Sequence, residues 1–258
     1  MASDRTPTSY LEVEAQLGGT FLHPGGRDLT RWLLHLLRQE PAPRRVLELG
    51  CGTGSTSVLV ADLAETRVVA LERSDAMLAA AQQRAAARVR LVQADGNCPL
   101  PLASNSLDAA YSESVVALLD VPQVFGELRR VLRPGGLLLV NERIWKPGLT
   151  RAQVMEVNDF SRRAFGIPAA TAEPWDNAGW QRLLREAGFC DVTSIPVDDL
   201  LEQRAPARHI GQRMARLQRY VARPTLLAQS VRFKADARKQ AGLWARLECF
   251  VFSARKPA

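Results

Sequence analysis

Val46-Leu47-Glu48-Leu49-Gly50-Cys51-Gly52-Thr53-Gly54-Ser55 carries a short apolar run into three alternating glycines and out into a helical pattern. A strand ending in such a turn lets backbone approach a ligand closely, because glycine takes positive φ at little cost and has no Cβ in the way. In open α/β sheets, ligands bind in the crevice at the carboxyl ends of the strands. A dinucleotide fingerprint G-x-G-x-x-G needs its third glycine at position 55, where this chain has Ser55. The pattern is instead acid-x-Gly-x-Gly-x-Gly, beginning at Glu48, and a nicotinamide reading fits it imperfectly.

Outward from this turn, strand and helix patterns alternate. Apolar strands are predicted at Arg45–Leu49, Arg67–Leu71, Val89–Gln93, Leu107–Tyr111 and Leu137–Asn141, with helices at Ser55–Ala64, Asp75–Ala87 and Val121–Leu132 between them. That series predicts a doubly wound, Rossmann-like α/β fold, a parallel sheet with helices on both faces. Ser74 is placed to cap the second helix, and Pro134-Gly135-Gly136 stops the third. Towards the N-terminus, a short helix near Tyr10–Leu17 and a loop over Gly18–Gly26 precede a helix with Leu29, Trp32, Leu33, Leu36 and Leu37 on one stripe. Towards the C-terminus, helices follow Thr150 and Asp176, and two further strands, Asp191–Val197 and Arg246–Ala254, flank a helical stretch whose stripe is Ile210, Met214, Leu217 and Val221.

The 258 residues are 47% hydrophobic and 24% charged, a globular composition that excludes wholesale disorder, collagen and coiled coil. One large α/β domain accommodates this length. No window approaches the ~18 uninterrupted apolar residues of a membrane span, and Met1–Tyr10 lacks the basic start and apolar run of a secretory signal, so a cytoplasmic location is expected. Cys51, Cys98, Cys190 and Cys249 lack paired C-x-x-C spacing and read as free thiols, and no metal constellation is seen. The formal charge of +7 is uneven: residues 1–150 hold 16 basic and 16 acidic side chains, whereas residues 151–258 hold 18 and 11. Within the latter, Arg204–Lys239 has ten basic residues and one acid, Asp236.

Further polar groups sit at the ends of successive strands. Glu72, beside Arg73, ends the second and is placed to accept from both hydroxyls of a ribose; Ala94-Asp95-Gly96 ends the third and offers a carboxylate to an exocyclic amine such as that of adenine. Glu127-Leu-Arg-Arg-Val-Leu-Arg-Pro-Gly-Gly136 precedes the fifth. In these motifs, from Val46 to Asn141, the chain resembles the class I S-adenosylmethionine-dependent methyltransferases, and within them the quinone-biosynthesis branch; Gly179–Val192 adds a weaker match. The resemblance implies S-adenosylmethionine as donor, with Gly50, Cys51 and Gly52 against its methionyl part, Glu72 on the ribose, and Asp95 with Gly96 at the adenine. It also implies a seven-stranded sheet of order 3-2-1-4-5-7-6 with the last strand antiparallel. Residues 1–258 then form one methyltransferase domain. Residues 1–40 are cap helices, 41–145 the cofactor-binding core, and 146–178 with 198–242 helical insertions on the acceptor side.

Methyl transfer from a sulfonium needs alignment and desolvation and, for weakly acidic acceptors, a base. His23, in the loop before the glycine motif, and Glu113, in Tyr111-Ser112-Glu113-Ser114 after the fourth strand, are the candidate catalytic residues, Glu113 alternatively capping the next helix. Ser112 is expected on the cofactor side of the same segment. Glu142 is a weaker candidate base, and His35 falls near the apolar helix stripe and reads as structural. Glu48, inside a strand, is expected to accept backbone or water hydrogen bonds near the cofactor's amino end. The Asn/Asp-Pro-Pro-aromatic motif of nucleic-acid amino methyltransferases is absent from the fourth-strand segment, so the expected acceptor is a small molecule. The basic segment reads as a solvated face, contacts to an anionic acceptor, a homodimer interface or an RNA-binding surface, the last thin in aromatics with Tyr220 and Phe233. The competing functions are a non-catalytic S-adenosylmethionine-binding protein and an RNA methyltransferase.

Overall fold

A computed structural model describes residues 9–39, 43–201 and 224–258. The predicted stripe Ile210–Val221 and much of the basic segment lie outside these residues. Ten helices are described: α1 (Tyr10–Gln16), α2 (Gly26–Gln39), α3 (Ser55–Leu63), α4 (Asp75–Gln82), α5 (Val121–Val131), α6 (Arg151–Phe165), α7 (Asn177–Glu186), α8 (Val197–Leu201), α9 (Pro224–Lys239) and α10 (Ala241–Trp244). The strands are β1 (Arg45–Leu49), β2 (Arg67–Glu72), β3 (Val89–Gln93), β4 (Leu107–Glu113), β5 (Leu132–Trp145), β6 (Cys190–Pro196) and β7 (Leu247–Arg255). They form one sheet of order β3-β2-β1-β4-β5-β7-β6, in which β7 alone runs antiparallel to its neighbours. This is the order implied by the resemblance.

Period-two alternation puts each strand's side chains on two faces. Val46, Val68, Ala109, Tyr111, Leu139 and Val251 face α2, α3 and α8. Leu47, Leu49, Ala110, Leu138, Val140 and Phe252 face α5, α6 and α7, where Trp180 stacks on Phe252 with ring centres 5.5 Å apart. Ser74 caps α4 as its position in the sequence predicts, and Asp176, after which a helix is expected, caps α7, each accepting a first-turn amide.

Three elements differ from expectation by more than one residue. α4 ends at Gln82 rather than Ala87, although the alanine-rich sequence has strong helix propensity; the chain has to turn back to enter β3, and Arg84 reaches across to the carbonyl of Thr53. β5 begins at Leu132, opposite Leu107 of β4, and runs to Trp145, nearly three times its expected length, its far end held by β7, which pairs with it from Leu137 to Trp145. β4 runs on to Glu113, so Glu113 ends a strand and caps nothing; Asp120 caps α5.

The N-terminal segment closes over the carboxyl edge of the sheet. α1 docks on α9 through Val13, Leu17 and Leu226, and Ser230 donates to the buried Glu14 at 3.3 Å. Tyr10, Phe160, Phe165, Phe233 and Trp244 pack ring against ring and tie α1, α6, α9 and α10 together.

Candidate active site

The glycine turn is shaped by contacts on one side and space on the other. Gly50 has φ +76°, its amide donates to the Leu71 carbonyl, and a Cβ there would lie 2.2 Å from Val115. Gly54, also at positive φ, lies against Ala81. Gly52 has φ +52° and would meet nothing within 4 Å, so the turn opens towards the crevice at that residue. The Glu72 carboxylate holds the turn and the start of α4 together: Oε2 accepts from the Gly52 amide at 3.0 Å and Oε1 from the Arg73 and Ser74 amides at 2.9 and 2.8 Å. Arg73 itself is exposed. Asp95 accepts the Asn97 amide at 2.9 Å in a turn beside Gly96, whose missing Cβ leaves room for Leu119.

Several polar candidates point into the protein. Ser112 is fully buried and donates to the Leu49 carbonyl at 3.1 Å. Cys51 is buried, and burial pushes its thiol far up from its ordinary range. Glu48 lies on the α3 face, opposite Tyr111 in the sheet register; it accepts from the Tyr111 hydroxyl at 2.9 Å and from the Ser57 hydroxyl, two side-chain donors that the sequence motifs do not single out. Burial pushes its pKa up to about 8. Glu142 is also buried and raised to about 8 by burial, but its Oε1 accepts from the Val115 and Val116 amides at 2.9 and 2.7 Å, which fixes the loop that packs on Gly50. That places Glu142 in support of the turn rather than as a base. His35 is on the exposed side of α2, not in its stripe, and His209 lies outside the described residues.

The structure brings the two catalytic candidates together. His23 Nε2 lies 3.2 Å from Glu113 Oε2, with side chains 6% and 4% exposed. Glu113 also accepts from Thr30 at 3.2 Å and from Thr56 at 3.0 Å. His23 Nδ1 is 3.1 Å from the Pro24 carbonyl, which can only accept, so Nδ1 carries a proton; the Nε2 lone pair then accepts from Glu113 in its protonated form, the single Thr30 hydroxyl hydrogen being given to Glu113. Asn141, which faces Glu113 across β4 and β5, donates to the same Pro24 carbonyl at 3.2 Å. Burial lowers the His23 pKa to about 4 and raises that of Glu113 to about 7, the latter against the opposing hydroxyl hydrogen bonds. At neutral pH the imidazole is uncharged and the carboxyl is close to half-protonated, a group poised to take or give one proton.

Thr30, Thr56 and Asn141 were not singled out by the sequence motifs. Each carries a faint signal in retrospect: a hydroxyl on an apolar helix face, a threonine in the first turn after the glycines, and an amide at the carboxyl end of an apolar strand.

Residues 47–140 match the family model described as "Methyltransferase domain". An uncharacterized methyltransferase, YodH, of Bacillus subtilis (strain 168) is 30% identical over 184 residues, 70% of this chain and 74% of that protein. The chain belongs to the methyltransferase family. Its sheet order and glycine turn are those of an S-adenosylmethionine-dependent enzyme, and S-adenosylmethionine is the methyl donor of this methyltransferase. A demethylmenaquinone methyltransferase of Thermus thermophilus is 37% identical, but over 124 residues, 45% of this chain and 56% of that protein. Among solved structures, a phosphoethanolamine N-methyltransferase of Haemonchus contortus in complex with S-adenosylmethionine superposes with TM-score 0.73 at 19% identity; the methyltransferase spans 59% of that chain, and 99% of its own length is covered. At that identity the likeness is one of fold. Among the described residues, no helix is long and apolar enough to cross a membrane.

Proposed function

We propose that the protein transfers a methyl group to a small-molecule acceptor whose nucleophilic atom gives up a proton to the His23–Glu113 pair. S-adenosylmethionine supplies the methyl group on a sulfonium that is already activated for in-line displacement. Gly50, Cys51 and Gly52 would line its methionyl part, since Gly52 leaves open space where any side chain would stand. Glu72 would hold the ribose with the lone pairs left by its backbone contacts, Arg73 would flank it, and Asp95 with Gly96 would meet the adenine. Glu48 and Ser112 would act indirectly, by fixing β1 against Tyr111 and β4 against Leu49.

The observation that carries the reading is the buried pair itself. Glu113 ends β4 at the carboxyl edge of the sheet, and α2 and its preceding loop bring Thr30 and His23 onto it from above. A carboxyl with a pKa of about 7 is matched to proton removal near neutrality. His23 keeps it uncharged-partnered and oriented through Nε2, while Pro24 and Asn141 hold the ring. So enclosed a site suits a small acceptor better than a polymer. The relatives named for an acceptor, demethylmenaquinone and phosphoethanolamine, also name small molecules. The quinone-type motifs between Val46 and Asn141 keep that branch within the proposal.

The test is release of S-adenosylhomocysteine on incubation with S-adenosylmethionine and a cell extract separated by mass. The low-mass fraction should support release by the wild type and not by Gly52→Arg. Release with the RNA fraction alone, or with none, would sink the reading in favour of an RNA methyltransferase or a non-catalytic binder.

A further inference from the structure

Arg143 is a half-buried cation at the edge of the sheet that forms no ion pair among the described residues. Arg130, Arg133 and Arg246 pair with Glu127, Asp108 and Glu156. No ion pair among the described residues includes Arg143. Its guanidinium lies over the Trp244 ring, 5.5 Å from the centroid, and beside the Cys249 thiol, whose pKa it holds down against burial; the Asp198 carboxylate also acts on that thiol but forms no ion pair with Arg143. Glu142, next along the strand, faces the other side of the sheet and gives its oxygen to backbone amides. The Trp244 indole N–H is buried and has no acceptor among the described residues. Donors therefore outnumber acceptors around this ring, and a half-buried guanidinium is stabilised by an anion that can take several of its N–H groups.

Its position is equally informative. β5 runs on beyond the end of β4, whose last residue, Glu113, is opposite Asn141. Arg143 is two residues further on, so its side chain leaves the same face as Asn141, about 6.6 Å along the strand at some 3.3 Å per residue. That face is the one bearing His23 and Glu113, and Asn141 itself retains a buried Oδ1 without a partner among the described residues. One sheet face at the ligand-binding edge thus presents, in order, a proton-accepting pair, an unsatisfied amide and an unpaired guanidinium backed by an indole.

The geometry points to Arg143 and Trp244 as an anion subsite for the acceptor, which carries an oxyanion group, carboxylate or phosphate, a short distance from its methylated atom. This inference rests on the small-molecule reading above and names the chemistry of that acceptor. It also moves anion recognition away from the Arg-rich segment 204–239 to a single arginine of the sheet. Arginine suits the task because its planar fork engages two oxygens at once, and stacking on the indole fixes the fork's plane.

The test reads binding rather than turnover, so that its failure is separable from failure to find an acceptor. The protein labelled with 5-fluorotryptophan and saturated with S-adenosylhomocysteine is titrated with inorganic phosphate, acetate or ammonium chloride while the Trp244 fluorine resonance, assigned by its loss in Trp244→Phe, is followed. A saturable shift with phosphate alone assigns a phosphate-bearing acceptor, with acetate alone a carboxylate-bearing one, and with both an unselective oxyanion site. In each case Arg143→Gln should raise the half-saturating concentration about tenfold or more, the weight of one charge-assisted hydrogen bond, with Arg143→Lys between it and wild type. Arg143→Gln must bind S-adenosylhomocysteine as the wild type does, which shows that it is folded. No saturable shift with either anion, an equal shift with ammonium chloride, or a shift unchanged in Arg143→Gln would overturn the proposal.

Discussion

At the scale of single residues, the site is governed by what burial does to two ionisable groups. Glu113 alone would be a costly buried carboxylate; Thr30 and Thr56 stabilise its charge, while desolvation opposes it more strongly. His23 is held neutral by the same loss of water. The residue types and their strand-end position were legible in the sequence. Their meeting was not, because 89 intervening positions separate them and only folding of α2 onto β4 brings them within 3.2 Å. Nor could sequence distinguish a strand-end carboxyl from a helix cap, since a capping acid and a catalytic one look alike until Asp120 is seen to hold α5. Glu113→Gln keeps the acceptor oxygen for the threonines but cannot take a proton. For an acceptor that must be deprotonated, its rate should fall on the order of 10²–10⁴-fold. The pH–rate inflection near 7 should vanish with it, as steady-state rates between pH 5.5 and 8.5 would reveal. An unshifted inflection would assign the titration to another group.

At the scale of elements, the strands and most helix starts follow from alternation and capping, which are local. Helix ends and strand lengths depend on partners, which are not: α4 stops early to feed β3, and the far end of β5 is held by β7. The N-terminal cap is joined to its neighbours through a small apolar cluster of its own. α1 is only seven residues long, too short to be stable alone, so it depends on Val13 and Leu17 against Leu226. Leu17→Ala removes part of that small cluster, at a cost of ~2–5 kcal/mol for a buried leucine. The loss should appear as local opening. Amides in residues 10–19 should exchange at least about tenfold faster by hydrogen–deuterium exchange, while β1, β4 and β5 remain protected. Uniform acceleration across the sheet would show that the cap is part of the global folding unit.

At the scale of the whole molecule, three carboxyls are carried into the interior around one crevice, with pKa values of about 8, 7 and 8 for Glu48, Glu113 and Glu142. Because each lies above its unfolded value of 4.5, the stability they confer is full below pH 4.5 and is lost as pH rises through 7 to 8. His23 acts in the opposite sense: its pKa falls from 6.5 to about 4, so its contribution is present above 6.5 and lost as pH falls towards 4. Between 4.5 and 6.5 it offsets one carboxyl, and the other two leave a net decline. Urea unfolding at pH 5, 6.5 and 8 should therefore show falling stability. Glu142→Gln, which can still accept from Val115 and Val116, should flatten the decline by on the order of 1.4 kcal/mol per pH unit. Curves that stay parallel would place Glu142's proton elsewhere.

All of this depends on Gly52 opening onto a bound nucleoside. Isothermal titration of the wild type and of Gly52→Arg with S-adenosylhomocysteine tests that most directly. Gly52→Arg meets no protein atom at its Cβ and loses only ~1–2 kcal/mol to left-handed backbone strain, so it should stay folded. Saturable heat from the wild type and none from the variant is the predicted result. Equal heat from both, or none from the wild type with binding of NADH in its place, would contradict the account.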